Sequence, residues 1–404
     1  MRRQNHTYVS AFDGLRGIAI LPVVLLHVGV STLPPDRLLF ELTRGWYGVD
    51  LFFVLSGFLI TWILTAEMRD AGTIDLRGFY RRRVLRLGPA YVSMLSVVLI
   101  GAAFFEPQSL RKLPHVLPSI LTFTYNYQIA AGGEHFDLLV VVWSLCVEEQ
   151  FYLVWPFVLR YLGRDRALRF CAGAIGLLTI YRIALYGFLN WPHLGQPTAA
   201  SSIWIYFATD TRIGVILTGC AAALLVRDSR ARGLVKWMRN ARLFPYLAFA
   251  AACLLAVFVT GARPSSASWR SATFGYALCA FAAAALIVAL MVQQRSLVAR
   301  SLSWKPLVSL GKVSYGVYLF HPAVMWTLLR IHQSMRLADT AALPPAGLFA
   351  ALSVLVLGVT WLVAALHFRY VEKWFLSLRT APQCTASVPS ERRLENFTGA
   401  ESEQ

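Results

Sequence analysis

The sequence is poor in charge. Only 15% of its 404 residues are Asp, Glu, Lys or Arg, where soluble domains carry about 25%. With 57% of the residues hydrophobic and a mean hydropathy of +0.55, that shortage excludes an ordinary soluble globular protein. Cysteine pairs are lacking too. Cys146, Cys171, Cys220, Cys253 and Cys279 fall inside apolar runs and Cys384 in a polar tail, so they read as small packing residues rather than a disulfide framework. None has metal-ligand spacing and the histidines are scattered, so no metal is expected. No small-x-small cleavage site follows the first apolar run, and Asp13 and Arg16 stand at its entrance. That run reads as an uncleaved helix, not a signal peptide. Internal repeats are absent, and no stretch offers a second soluble domain.

What the chain has is apolar sequence in runs long enough to cross a bilayer, which takes about 20 residues. Such runs lie near 11–31, 47–66, 86–105, 141–161, 168–188, 204–226, 243–261, 271–292, 309–330 and 346–367. The expected fold is all-α, a polytopic transmembrane bundle of about ten helices. It occupies residues 1–379, and 380–404 form a polar, disordered cytoplasmic tail. The weaker apolar stretch 113–130 suits an interfacial or re-entrant segment.

A net charge of +17 raises nucleic acid as a partner, but the Lys and Arg residues fall mostly in loops on one side of the expected membrane. By the positive-inside rule that side is cytoplasmic and both termini lie there. The partner of the chain is then the lipid bilayer, with no nucleic acid, and the location is a bacterial inner membrane.

Charges inside spans carry the functional signal, because each costs about 2.5–3.5 kcal/mol at mid-bilayer on insertion scales. His27, Asp50, Glu148, Glu149, Asp210 and Arg212 come from four spans and reach one level in the outer third, with His321 nearer the middle. An imidazole among carboxylates is a candidate active site. Plain readings stand beside this one: Asp210 and Arg212 can form one structural ion network, and His321 precedes Pro322 and can mark only a helix break. At the inner end lie Arg16, Lys312 and the run Arg81, Arg82, Arg83, Val84, Leu85, Arg86. Arg83 and Arg86 are three apart and share a helix face, which suits phosphate. Asp13 can pair with Arg16 across one turn. Arg16 and His27 stand three turns apart on one face, roughly 16 Å along the axis. That spacing matches a pantetheine arm held at its nucleotide end by basic residues.

Several segments then resemble a known family. Phe12, Asp13, Gly14, Leu15, Arg16 and Gly17 through His27 form the first, and Gly48 through Phe58 the second. Arg83, Val84, Leu85 and Arg86 follow, then Trp143 through Tyr152, then Ser314 through Pro322. In this order they resemble the acyltransferase 3 family of membrane O-acyltransferases, stand-alone type. The resemblance implies a cytoplasmic acyl-CoA co-substrate, with acetyl the favoured acyl group, no tightly bound cofactor, and a hydroxyl-bearing acceptor. The acceptor would be a cell-surface glycan such as lipopolysaccharide O-antigen or exopolysaccharide. A macrolide-type small molecule is an alternative, and a transporter or flippase a rival from another class. Carried over by residue, His27 is a general base or acyl carrier and Glu148 the carboxylate orienting it. Arg16, Arg83 and Arg86 would hold the CoA end. Tyr152 and Ser314 are candidates for oxyanion or acceptor contacts.

Overall fold

In a computed structural model the described residues are 8–33, 45–191, 199–260, 271–334 and 344–378. The expected tail 380–404 lies outside them. Among the described residues every regular element is helical and there is no strand. The helices are α1 (Ser10–Thr32), α2 (Tyr47–Ala71), α3 (Leu76–Phe105), α4 (Leu113–Leu121), α5 (Tyr125–Ala130), α6 (Val142–Leu189), α7 (Ala199–Phe207) and α8 (Thr209–Val226). They continue as α9 (Arg232–Asn240), α10 (Phe244–Thr260), α11 (Tyr276–Val292), α12 (Leu297–Leu302), α13 (Lys305–Lys312), α14 (Ser314–Ser334), α15 (Pro345–His367) and α16 (Lys373–Ser377).

Among the described residues seven helices are long and apolar enough to cross a membrane, or up to eight if the pair Ser229–Asn240 and Phe244–Val257, bent by 91°, is one span. The chain is thus a multi-pass membrane protein, with fewer such helices than the ten expected runs. Three causes account for the difference, the first being that the seventh run falls on the 17-residue α10, which counts only together with its bent partner. The fourth and fifth runs share the 48-residue α6, which breaks at Gly163, where φ is 69° and ψ 173°. Only glycine takes up that geometry cheaply, so the chain turns there without a separating loop. The ninth run falls on α14, whose polar residues, His321 and Arg330 among them, keep it outside the seven. The stretch 113–130 becomes two short helices of 9 and 6 residues, too short to cross. Val116, Ile120 and Tyr125 on them are fully buried, so the segment packs against the bundle.

α2 and α11 form the centre, with 72% and 78% of their apolar windows buried, against 17% for α6 and 28% for α15. Large apolar side chains such as Phe104, Leu153, Leu177 and Val354 point outward on the rest, the surface a bilayer covers. α2 and α8 touch backbone to backbone. A Cβ at Gly219 would run into the Val54 carbonyl, and one at Gly57 into that of Ile216. Small residues permit this approach in membranes, where close packing replaces the hydrophobic drive. α3 starts at Leu76, ten residues before the expected run. Its cap is Asp75, whose carboxylate accepts from the Gly78 N–H at 2.9 Å. This early start places Arg81, Arg83 and Arg86 on the same rigid helix.

Candidate active site

A cavity of about 320 Å³ opens among α1, α2, α3, α6, α13 and α14. Arg16, Arg83, Arg86 and Lys312 bring four cations to it, and Glu148, Tyr152 and Ser314 line it as well. The helix arithmetic that put Arg83 and Arg86 on one face is met. Lys312 is held near Arg16 because Gly311 packs on α1, where a Cβ would strike the Asp13 carbonyl oxygen. Asp13 pairs with Arg16 at 3.0 Å and also accepts from the Tyr8 hydroxyl. Arg83 lies over the Tyr152 ring, 4.2 Å from its centroid, a cation–π contact that fixes the guanidinium direction.

Glu148 does not orient His27 by a hydrogen bond. Its Oε1 accepts from Ser56 Oγ at 3.1 Å and its Oε2 from the Tyr152 hydroxyl at 3.2 Å. The rotation of α6 aims Glu148 into the cavity with the cations. Glu149, next along the helix, lines a different cavity of about 410 Å³, largely apolar, which shares Arg83, Leu87, Leu145, Tyr152 and Tyr315 with the first.

The partner of His27 is His321. His321 Nε2 stands 3.3 Å from His27 Nδ1, and the two rings meet edge to face at 4.8 Å. Carbonyls fix the tautomers, since a carbonyl only accepts. His321 Nδ1–H donates to Tyr318 O at 2.8 Å, which leaves Nε2 of the neutral ring as an acceptor. His27 Nδ1–H is then shared between that nitrogen and Val23 O at 2.8 Å. The lone pair of His27 is left at Nε2. One turn before His321, the Tyr318 hydroxyl donates to Val141 O at 2.8 Å and takes a hydrogen bond from Ser144 Oγ at 2.7 Å. Tyr318 and Ser144 both line the cation-bearing cavity, so a short chain of contacts joins that cavity to the histidine pair.

Asp50, Arg182 and Arg212 form a separate cluster around Tyr276. Arg212, fully buried, pairs with Asp50 and stacks on Tyr276 at 4.0 Å. Arg182 donates to Thr273 O at 2.7 Å and Thr211 O at 3.2 Å. Asp210 accepts instead from the Tyr181 hydroxyl at 2.6 Å and from Trp204 Nε1 at 3.4 Å. The reading of Asp210 and Arg212 as one network is therefore corrected: two residues apart on a helix, they face different neighbours.

Sequence reasoning gave no role to Ser56, Tyr318 or Arg182. A hydroxyl in the apolar run of α2 and a Tyr three residues before His321 were the available signals. Gln150 was also passed over. Its Nε2 donates to Phe123 O at 2.6 Å and Asn126 Oδ1 at 3.0 Å, and its Oε1 accepts from Thr209 Oγ1 at 2.6 Å. It anchors the 113–130 segment beside the two glutamates. Among the described residues no group of three His, Cys, Asp or Glu is placed to hold a metal.

The profile of a family described as an acyltransferase domain matches residues 9–365. Among curated proteins, the putative peptidoglycan O-acetyltransferase YrhL of Bacillus subtilis is 32% identical over 337 residues, 80% of this chain and 50% of the relative. The peptidoglycan O-acetyltransferase OatA of Listeria monocytogenes is 29% identical over 386 residues, 92% of this chain and 56% of the relative. The O-acetyltransferase OatA of Staphylococcus aureus is 29% identical over 322 residues, 78% and 50% of the two chains. The chain thus spans about half the length of these relatives. No solved structure matches.

Proposed function

The chain belongs to the acyltransferase 3 family, and from that premise we propose that it moves an acyl group, in the first instance acetyl, from acyl-CoA to a hydroxyl of a glycan. The observation that carries the donor half is the cavity where Arg16, Arg83, Arg86 and Lys312 converge. Guanidinium and ammonium groups grouped this way suit the phosphates of the CoA nucleotide. The arginine-rich end then faces the cytoplasm of a bacterial inner membrane, in keeping with the excess of positive charge at that end.

In this reading His27 Nε2 takes the proton of the acceptor hydroxyl as its oxygen attacks the thioester carbonyl carbon. The carbon–sulfur bond breaks, the CoA thiolate leaves, and the proton on His27 passes to it or to water. Glu148, held by Ser56 and Tyr152, is placed to accept from an amide N–H along the arm of the donor. The names of the relatives support a peptidoglycan-type sugar as acceptor over the lipopolysaccharide or exopolysaccharide expected at first.

The purified chain in proteoliposomes, given acetyl-CoA and soluble peptidoglycan fragments, tests this by release of free CoA thiol and acetylated sugar in equal amounts. Movement of a glycan without thiol release would replace the transferase with a transporter. Thiol release with no acetylated sugar would remove the glycan from the reading.

A further inference from the structure

A second cavity, of about 490 Å³, lies where α2 ends and α6 breaks. Thr65, Met68 and Arg69 of α2 form one side, and Leu162, Gly163, Arg164, Asp165 and Arg166 at the break form the other, so three arginines and one carboxylate line it, with Arg227 beside the lining. It shares no lining residue with the cation-bearing cavity of the candidate active site. The separation follows from helix geometry. Ser56, Leu59, Ile60 and Ile63 face the first cavity, whereas Thr65, Met68 and Arg69 lie on the opposite side of α2 at about 100° per residue.

The charges around this second cavity do not balance. Arg69 pairs with Asp70 at 2.8 Å. Asp165 pairs with Arg230 at 3.3 Å and more distantly with Arg164 at 3.9 Å, and Asp228 is taken by Arg230 at 3.1 Å. Arg227, capping α8, is half-buried with its guanidinium 3.7 Å from the centroid of the Trp62 ring. Its backbone N–H donates to Leu224 O, but among the described residues no carboxylate or carbonyl is within hydrogen-bond reach of its guanidinium, and Asp70 is the one carboxylate that acts on it through space. Burial, followed by the nearby Arg69 and Arg164 guanidiniums, pushes Arg227 down to about 9 against the opposing pull of Asp70. A half-buried cation held by an aromatic face and crowded by like charges is a group that an anion would relieve. The break at Gly163 sets Arg164 and Arg166 toward the same space as Arg69.

We propose that Arg227, Arg164 and Arg69 form a binding site for a phosphate monoester or diester, distinct from the donor cavity. Guanidiniums match phosphate oxygens with paired N–H groups. The ends of α2 and α8 and the break in α6 meet here, a place that suits the phosphate of a lipid headgroup. The phosphate comes from an anionic phospholipid or from a soluble phosphate ester. The inference stands whether or not the transferase reading holds.

The test is thermal unfolding of the purified full chain in neutral detergent. Phosphatidylglycerol, phosphatidylcholine and inorganic pyrophosphate are added in turn to wild type, Arg227→Gln, Arg164→Gln and Arg300→Gln. The last removes the same charge from α12, away from the cavity. A rise in midpoint with phosphatidylglycerol alone, in wild type and Arg300→Gln but at least halved in the other two, supports the site with a lipid headgroup as ligand. The same pattern with pyrophosphate supports it with a soluble phosphate. Equal shifts in all four proteins, or none, overturn it. Should Arg227→Gln fail to fold, Arg164→Gln, whose side chain is 42% exposed, decides alone.

Discussion

His321 Nε2 stands 3.3 Å from His27 Nδ1, so one histidine is a second acceptor, beside the Val23 carbonyl at 2.8 Å, for the N–H of the other. In the proposed reaction His321 would take the place a carboxylate holds in a hydrolase triad. An imidazole acceptor adds no formal charge, which matters where charge is expensive.

On the proposed chemistry, His27→Ala lowers acyl transfer by about 10²–10⁴-fold, the usual worth of a general base. His321→Ala removes a neutral hydrogen bond of about 1 kcal/mol, or roughly 5-fold in rate. His321→Gln, whose amide oxygen can still accept from His27 Nδ1–H, recovers part of that loss. Thiol release from acetyl-CoA measures all three. Equal rates for the Ala and Gln variants would reduce His321 to a packing residue.

Arg83→Gln weakens donor use more than turnover. A hydrogen bond to a charged group contributes about 1.5–3 kcal/mol, so KM for acyl-CoA rises roughly 10- to 100-fold while kcat changes less. Tyr152→Phe separates two roles, since it keeps the ring under Arg83 and removes the hydroxyl from Glu148. Steady-state kinetics with acyl-CoA varied at saturating acceptor reads both.

Asp50→Asn destabilises the chain by about 3–5 kcal/mol, the cost of leaving one partner of a buried pair alone. The double variant Asp50→Leu with Arg212→Leu recovers much of it. Unfolding midpoints in detergent decide the point, and a double variant no better than Asp50→Asn would show that Arg212 is balanced elsewhere.

Gly219→Ala lowers the midpoint, because its Cβ meets the Val54 backbone and α2 and α8 must separate. Gly101→Ala, with open space around its Cβ position, is neutral or gains about 0.4–1 kcal/mol from a stiffer unfolded chain. Comparing the two on one scan removes any general effect of added methyl groups.

Much of this was legible in the sequence. The helical class followed from charge scarcity and run length. The convergence of Arg16, Arg83 and Arg86 followed from their place at the inner ends of the expected runs and from a spacing of three. Helix rotation was not legible, and that is why Glu148 was given to His27. Depth along the membrane follows from counting residues, but the direction in which a helix faces depends on neighbours distant in sequence. Asp50 and Arg212, 162 residues apart, show the same limit, since Asp210 was nearer in sequence and paired elsewhere. The break in α6 could not be told from a loop, because the charged residues 164–166 read as a turn whether or not the helix restarts at once.

α2 walls one cavity with Ser56 and Ile63 and the other with Thr65 and Arg69. Its register is therefore constrained more tightly than its composition. Apolar residues between Leu59 and Thr65 can be exchanged for others of similar volume with modest effect. Deleting one residue there would turn everything beyond it by about 100°, swinging Arg69 away from Arg164 while Ser56 stayed with Glu148. For this helix, length is the heritable quantity: drift by substitution is open to it, and drift by insertion or deletion is closed.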